Sequence, residues 1–207
     1  MSWIDISQTL KEKMDVWPGD THFKYDTTMS IEEGDSVNVG TITMSSHTGT
    51  HMDAPFHYDT NGLKLHELPL EYFHGETLVM DVLGKKVIEV DDVKGIDFKG
   101  VKKVLFKTRQ NGPASYDDFT ILSPQLATYL SEKNIHLVGV DSPSVDPLTS
   151  KELKAHHALK EANIFILEGL VLNEVKQGFY ELFAFPLKIE DADGSPVRAV
   201  LKDNKRT

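Results

Sequence analysis

Apolar residues along this chain gather in short dense runs separated by polar and turn-forming residues. Glu76–Val82, Lys103–Thr108, His136–Asp141, Asn163–Leu172 and Gly178–Ile189 are rich in Val, Ile, Leu and Phe and predict strands. Two segments carry helix-start signals. Ser123 with Pro124 in the first helical position predicts a helix to about Asn134. Thr149-Ser-Lys-Glu152 fits a capping box and predicts a second helix to about Ala162. A short helix is expected over Leu65–Phe73, and Trp17-Pro-Gly-Asp20 and Asn111-Gly-Pro113 read as loops. Strands and helices alternate in the second half, while the first half is richer in strands and turns. The expected fold class is α/β: one domain over residues 1–207, with a mixed sheet or barrel-like core surrounded by helices. Residues 1–40 lack a core pattern and are read as an arm that packs on another subunit.

Composition narrows the function. The chain holds 22 basic and 32 acidic residues, a net charge of −10. Such a surface repels phosphate backbones and anionic lipid, which disfavours nucleic-acid and membrane partners and leaves a small molecule as the expected one. There is no cysteine, so disulfides, thiolate metal sites and cysteine nucleophiles are excluded together. A transition metal here must use imidazole and carboxylate ligands, for which nine histidines are present. No basic segment followed by an apolar one opens the chain, and no apolar run approaches the roughly 20 residues of a membrane span. The expected location is the cytoplasm.

The chemistry concentrates in His47-Thr-Gly-Thr-His51-Met-Asp53-Ala-Pro-Phe-His57, where three histidines and an aspartate fall within eleven residues. A helical metal motif does not fit, because the flanking Thr, Gly and Pro residues suit a helix poorly. In an extended backbone alternate residues share a side, and positions 47, 51, 53 and 57 are all odd. His47, His51 and Asp53 are then expected to project together, with Gly49 permitting close approach and Pro55 redirecting His57. Neutral imidazole nitrogen and carboxylate oxygen are what zinc, manganese or ferrous iron accept at about 2.0–2.2 Å.

A second feature is Glu168, which stands in the centre of the most apolar stretch, Ile164–Leu172. A buried carboxylate must be neutralised, hydrogen-bonded or bound to a cation. Two readings stand: a cation ligand, or a residue on a half-exposed face paired with Lys or Arg. His156 and His157 lie upstream on the expected helix, and helix geometry does not separate them.

The combination resembles the cyclase-like metallohydrolases, and within them the bacterial kynurenine formamidases. The likeness rests on Ser46 to His57, Val16-Trp17-Pro-Gly-Asp20, Gly139-Val-Asp-Ser-Pro-Ser-Val-Asp-Pro147, Ser150-Lys-Glu-Leu-Lys-Ala-His156 and Ile166-Leu-Glu168-Gly-Leu170. It implies that His47, His51 and Asp53 hold one zinc and that Asp53, His156 and Glu168 complete a second site, with Asp53 or Glu168 bridging. Manganese or another divalent metal is an alternative to zinc. The resemblance selects His156 over His157 by its spacing of twelve residues before Glu168. It further implies His57 as the catalytic acid and base, Trp17 as a substrate-pocket residue, a cyclase-like fold and a homodimer.

The implied reaction is hydrolysis of an aryl formamide, N-formyl-L-kynurenine, to L-kynurenine and formate in tryptophan degradation. A serine hydrolase is disfavoured because no Gly-x-Ser-x-Gly elbow occurs. The remaining rivals are a relative acting on isatin or another cyclic or aryl amide, and a non-catalytic metal- or ligand-binding protein. A pure binding protein has no use for an unligated imidazole at position 57.

Overall fold

The computed structural model describes residues 2–112 and 115–203, so Pro113 of the expected Asn111-Gly-Pro113 loop lies outside the described residues, while Asn111 and Gly112 form a bend. The strands are β1 (Trp3–Asp5), β2 (Lys24–Met29), β3 (Val39–Thr43), β4 (His51–Asp53), β5 (His74–Asp81), β6 (Val87–Ile88) and β7 (Lys103–Lys107). They continue with β8 (Ile121–Leu122), β9 (Leu137–Val140), β10 (Phe165–Glu168), β11 (Gly178–Phe183), β12 (Gly194–Pro196) and β13 (Val200–Asp203). The helices are α1 (Val90–Val93), α2 (Pro124–Glu132) and α3 (Lys154–Glu161).

Nine strands form one mixed, curled sheet in the order β1-β13-β11-β5-β7-β9-β10-β4-β12. Its centre, β5-β7-β9-β10, is parallel, and both flanks are antiparallel. Parallel strands are covered on both faces, which is why their sequences read as unbroken apolar runs. The pleat still divides them. Val104, Phe106, Val138, Val140 and Ile166 point into one core, beneath the helices, while Leu105, Leu137, Phe165 and Leu167 point into another on the opposite face. The α/β class and mixed sheet expected from sequence are both present.

Helix α2 begins as expected, with Ser123 at its N-cap and Pro124 at the first position. Other boundaries differ for identifiable reasons. The Thr149–Glu152 capping box does not form: α3 starts at Lys154, after Leu153 in a left-handed conformation (φ 44°), and Glu152 instead pairs with Lys154. Leu65–Phe73 is not one helix but two 3₁₀ turns, Leu65–Glu67 and Leu70–Tyr72, separated by Pro69. The run from Asn163 keeps strand geometry only to Glu168, because Gly169 turns at φ 66°. The run from Gly178 leaves the sheet after Phe183. The first 40 residues are not uniformly an arm, since β1 pairs with β13 inside the main sheet and Ile6 is fully buried. Only the β2–β3 hairpin stands apart, with Tyr25, Ile31, Val39 and Ile42 exposed. Among the described residues no helix is long and apolar enough to cross a membrane.

Candidate functional site

Strand register assembles the site. In the antiparallel pairing of β10 with β4, Glu168 stands opposite His51, Leu167 opposite Met52 and Ile166 opposite Asp53. Met52 and Leu167 belong to the core on the far face, so His51, Asp53 and Glu168 point to the helix side. Helix α3 lies over that side and contributes His156, which is buried, whereas His157 is exposed. His51 Nε2 is then 3.3 Å from Asp53 Oδ1 and 3.5 Å from Glu168 Oε2. His156 Nε2 is 3.5 Å from Asp53 Oδ2 and 3.7 Å from Glu168 Oε1. Glu168 is buried, receives the Val145 N–H at 2.9 Å, and faces imidazoles rather than Lys or Arg.

The extended geometry expected from 47 to 53 holds only within β4. His47 sits in a turn, and the positive φ of Gly49 (71°) folds the chain so that His47 Nδ1 comes 3.0 Å from Asp53 Oδ1. Gly169, directly after Glu168, packs on this turn so closely that a Cβ there would meet the Gly49 carbonyl at 2.2 Å. Pro55 opens a 3₁₀ turn, Pro55–His57, which carries His57 to the rim. The His57 ring lies 3.9 Å from that of His47, centroid to centroid, and its Nδ1 is 3.5 Å from Asp193 Oδ2.

Each inner imidazole uses one nitrogen on an outer acceptor and turns the other toward the carboxylates. His51 Nδ1 donates to the Gly49 carbonyl (3.1 Å), and His156 Nδ1 donates to Asp146 Oδ2 (2.8 Å). His47 Nε2 meets Asp193 Oδ2 at 3.1 Å. This is the arrangement that fixes the tautomer of a metal-binding histidine. Burial disfavours the charged rings, yet the hydrogen bonds they donate to the neighbouring carboxylates outweigh it and push His51 and His156 up to about 10 and His47 up to about 9. Burial of Asp53 is likewise outweighed by the three imidazoles, which hold its carboxyl well below the usual range. Its buried Oδ2 has no hydrogen-bond partner. Two buried carboxylates, three inward nitrogens and an orphaned oxygen fit a divalent cation. The groups His47, His51, Asp53 and Asp53, His156, Glu168 each have ligand atoms within 4.8 Å of one another. A third such group, His47, His57 and Asp193, lies at the rim.

Above the cluster is a cavity of about 370 Å³ whose walls include His57, His156, Glu168, Asp193, Trp17 and Tyr116. Trp17 is half-buried and meets the edge of Tyr116 at 5.9 Å. Asp146, Asp193 and Tyr116 are the contacts sequence reasoning missed. Asp146 lies in the Ser144-Val-Asp-Pro147 segment, where no local pattern marks its contact with His156. Asp193 and Tyr116 sit in loops with no periodic signal, and only the fold brings them to the site.

The Cyclase family profile matches residues 4–147. The chain is 50% identical over 202 residues, covering 97% of both proteins, to a kynurenine formamidase of Bacillus thuringiensis subsp. konkukian (strain 97-27). A solved structure described as a potential metal-dependent hydrolase with cyclase activity superposes with a TM-score of 0.83 at 29% identity, covering 99% of this chain and 98% of that one. Isatin hydrolase A from Labrenzia aggregata shares the fold, with a TM-score of 0.81 at 24% identity over 97% of this chain and 93% of that one.

Proposed function

The chain belongs to the Cyclase family, and from that membership we propose that it is a kynurenine formamidase, an arylformamidase converting N-formyl-L-kynurenine and water to L-kynurenine and formate. The observation that carries the reading is half identity to a kynurenine formamidase over nearly the whole of both chains. The lactam alternative, isatin, has support from fold likeness alone.

The proposed ligands are His47, His51 and Asp53 for one ion and Asp53, His156 and Glu168 for a second, with zinc the best match to a nitrogen- and oxygen-only ligand set and manganese or another divalent metal the alternative. When bound, divalent cations supply Lewis acidity, polarising a carbonyl oxygen and making water acidic near neutral pH. The chain's own residues do the rest. Asp146, Asp193 and the Gly49 carbonyl hold the three rings by their outer nitrogens, so that the inner nitrogens face the carboxylates and are open to a cation once it displaces their protons. His57, at the rim, takes a proton from the attacking water and delivers it to the amide nitrogen as the C–N bond breaks and the C–O bond forms. Burial of its ring, with the neighbouring His47 and His156, keeps His57 below the ordinary imidazole value despite the Asp53 carboxylate, so the accepting form prevails at neutral pH. Trp17 and Tyr116 offer an aromatic wall for the aryl group.

Residues 1–207 are read as one domain, active in the cytoplasm as a homodimer. The support for the dimer is the exposed apolar surface of the β2–β3 hairpin, which a second copy would cover. A panel of formyl, acetyl and lactam substrates on zinc-loaded protein tests the function. Formylkynurenine should be hydrolysed fastest; preferential opening of isatin would overturn the reading.

A further inference from the structure

The formyl group of the proposed substrate occupies one end of the molecule, and a zwitterionic amino acid occupies the other. The cavity over the ligand cluster offers Asp20 toward an ammonium but, among the described residues, no Lys or Arg for a carboxylate. A neighbouring cavity of about 440 Å³ shares His51, Tyr116 and Pro143 with it, so the two meet at the ligand cluster. Its outer wall is the segment from Ser7 to Asp15, and this wall is anchored rather than loose. Gln8 donates through its backbone to Thr50 Oγ1 (2.8 Å) and through Nε2 to the Gly169 carbonyl (2.9 Å). Thr50 and Gly169 directly adjoin His51 and Glu168, so the wall is tied to the backbone that carries two ligands. Leu10 and Met14 close on Gly49: a Cβ there would meet Leu10 Cδ2 at 2.9 Å.

Between these anchors the chain makes a tight turn, Met14 N–H to Lys11 carbonyl at 3.3 Å, with Lys13 in the left-handed region at φ 63°. A lysine gains nothing there locally, and such conformations persist where the surroundings impose them. The turn buries Met14 and brings Lys11, Lys13 and Asp15 to the cavity wall. All three are exposed, and among the described residues none of them forms an ion pair. Asp15 lies toward the shared wall: burial first, and then the charge of Asp15 and Asp20, push the Tyr116 hydroxyl up to about 12. Asp141 also lines the cavity, but its oxygens are occupied by the Thr108 backbone and hydroxyl, so Asp15 is the free anion.

We propose that this cavity is the subsite for the amino-acid end of the substrate, with Lys11 and Lys13 receiving the α-carboxylate and Asp15 the α-ammonium. The assignment rests on the formamidase reading and adds specificity to it. Isatin has no such end, and an aryl formamide without an amino acid leaves the subsite empty.

The test compares N-formyl-L-kynurenine with N-formyl-2-aminoacetophenone, the same ortho-acyl formanilide lacking the amino acid, on the metal-replete protein. The subsite predicts a kcat/KM ratio of at least about tenfold in favour of the intact substrate, carried by KM and reduced at high salt. The Lys11→Met, Lys13→Met double variant should lower that ratio about tenfold, the scale of charge-assisted contacts at an accessible site. Lys133→Met, a charge loss at the C-terminal end of α2 and outside the lining of both cavities, should leave the ratio unchanged. Asp15→Lys should lower it through loss of ammonium binding. Turnover of the truncated formanilide reports that each variant is folded. Equal kcat/KM for the two substrates in the unaltered protein, or an unchanged ratio in the double variant, overturns the subsite while the formamidase reading stands. Hydrolysis of neither substrate overturns both.

Discussion

Asp146 Oδ2 holds His156 twice, accepting its ring Nδ1–H at 2.8 Å and its backbone N–H at 3.0 Å, while Asp146 Oδ1 accepts the Ala155 N–H at 3.1 Å. One carboxylate thus satisfies two of the free amides that open α3 and fixes the ring they carry. Ring orientation and helix start are set by the same contact. Nε2 is left facing Asp53 and Glu168.

Asp146→Asn should therefore weaken metal binding by about 10- to 100-fold, the usual effect of removing a partner behind a metal-bound histidine. The asparagine can offer an oxygen to either the ring or the Ala155 amide, but not to both. A competition titration with a chromophoric chelator checks this. If Asp146 serves only as a helix cap, the variant should melt earlier yet keep its metal affinity. Ser150→Ala provides the comparison, because Ser150 Oγ accepts the Leu153 N–H at 3.1 Å without touching His156.

Metal retention should depend steeply on pH. Without metal, His51 and His156 hold protons up to about pH 10 and His47 up to about pH 9, because Asp53 and Glu168 outweigh the cost of burial on His51 and the carboxylates around the other two rings act likewise. A cation must displace those protons, so its apparent affinity falls as pH falls and rises toward alkaline pH. Between pH 6 and 8 the affinity should change by more than about tenfold per pH unit, the mark of more than one proton released. Chelator titrations at three pH values, corrected for the chelator's own protonation, measure that slope. A slope near zero would mean that the imidazoles are not ligands. Chelation at pH 6 should also abolish activity, and added zinc at pH 8 should restore it.

The legible part of this protein was what depends on neighbours in sequence. The runs around Val79, Leu105 and Val138 announced buried strands because parallel strands need apolar residues on both faces. Pro124 announced α2, since its missing N–H and fixed φ suit a first turn. The His47–His57 segment announces a site because its ligand types crowd together, although its backbone is not the continuous strand the odd-numbered spacing suggests: a turn at Gly49 brings His47 to Asp53.

What stayed hidden depends on topology. The Thr149–Glu152 box looked like a helix start, but the amides of α3 are capped by Asp146, beyond the reach of any local capping pattern. Asp193 directly precedes β12, and it reaches His47 because β12 pairs with β4 in a register no local signal encodes. His156 and His157 were inseparable on a helical wheel, whereas the packing of α3 on the sheet buries one and exposes the other.

His57 should act as a proton carrier, and His57→Ala should cut turnover of formylkynurenine by about 10²–10⁴-fold with metal content unchanged. The His57 ring rests 3.9 Å from that of His47 but lies at the cavity rim, over a third exposed, where substrate and water have access. Nδ1 faces Asp193 Oδ2 at 3.5 Å, which orients the ring and leaves Nε2 for the proton. Burial and the neighbouring imidazoles hold it below the ordinary value, so it is a base at neutral pH and must become an acid only transiently. The loss in His57→Ala should shrink for formanilides with less basic leaving amines, since their departure needs less proton help. The pH profile of kcat/KM should lose its acidic limb in the variant, because that limb reports protonation of this base. The competing role is ligation, since His57, His47 and Asp193 have donor atoms within 4.8 Å of one another. Elemental analysis separates the two: a variant that loses an ion along with its activity would make His57 a ligand, and one that keeps both its metal and its rate would leave it no part in the chemistry.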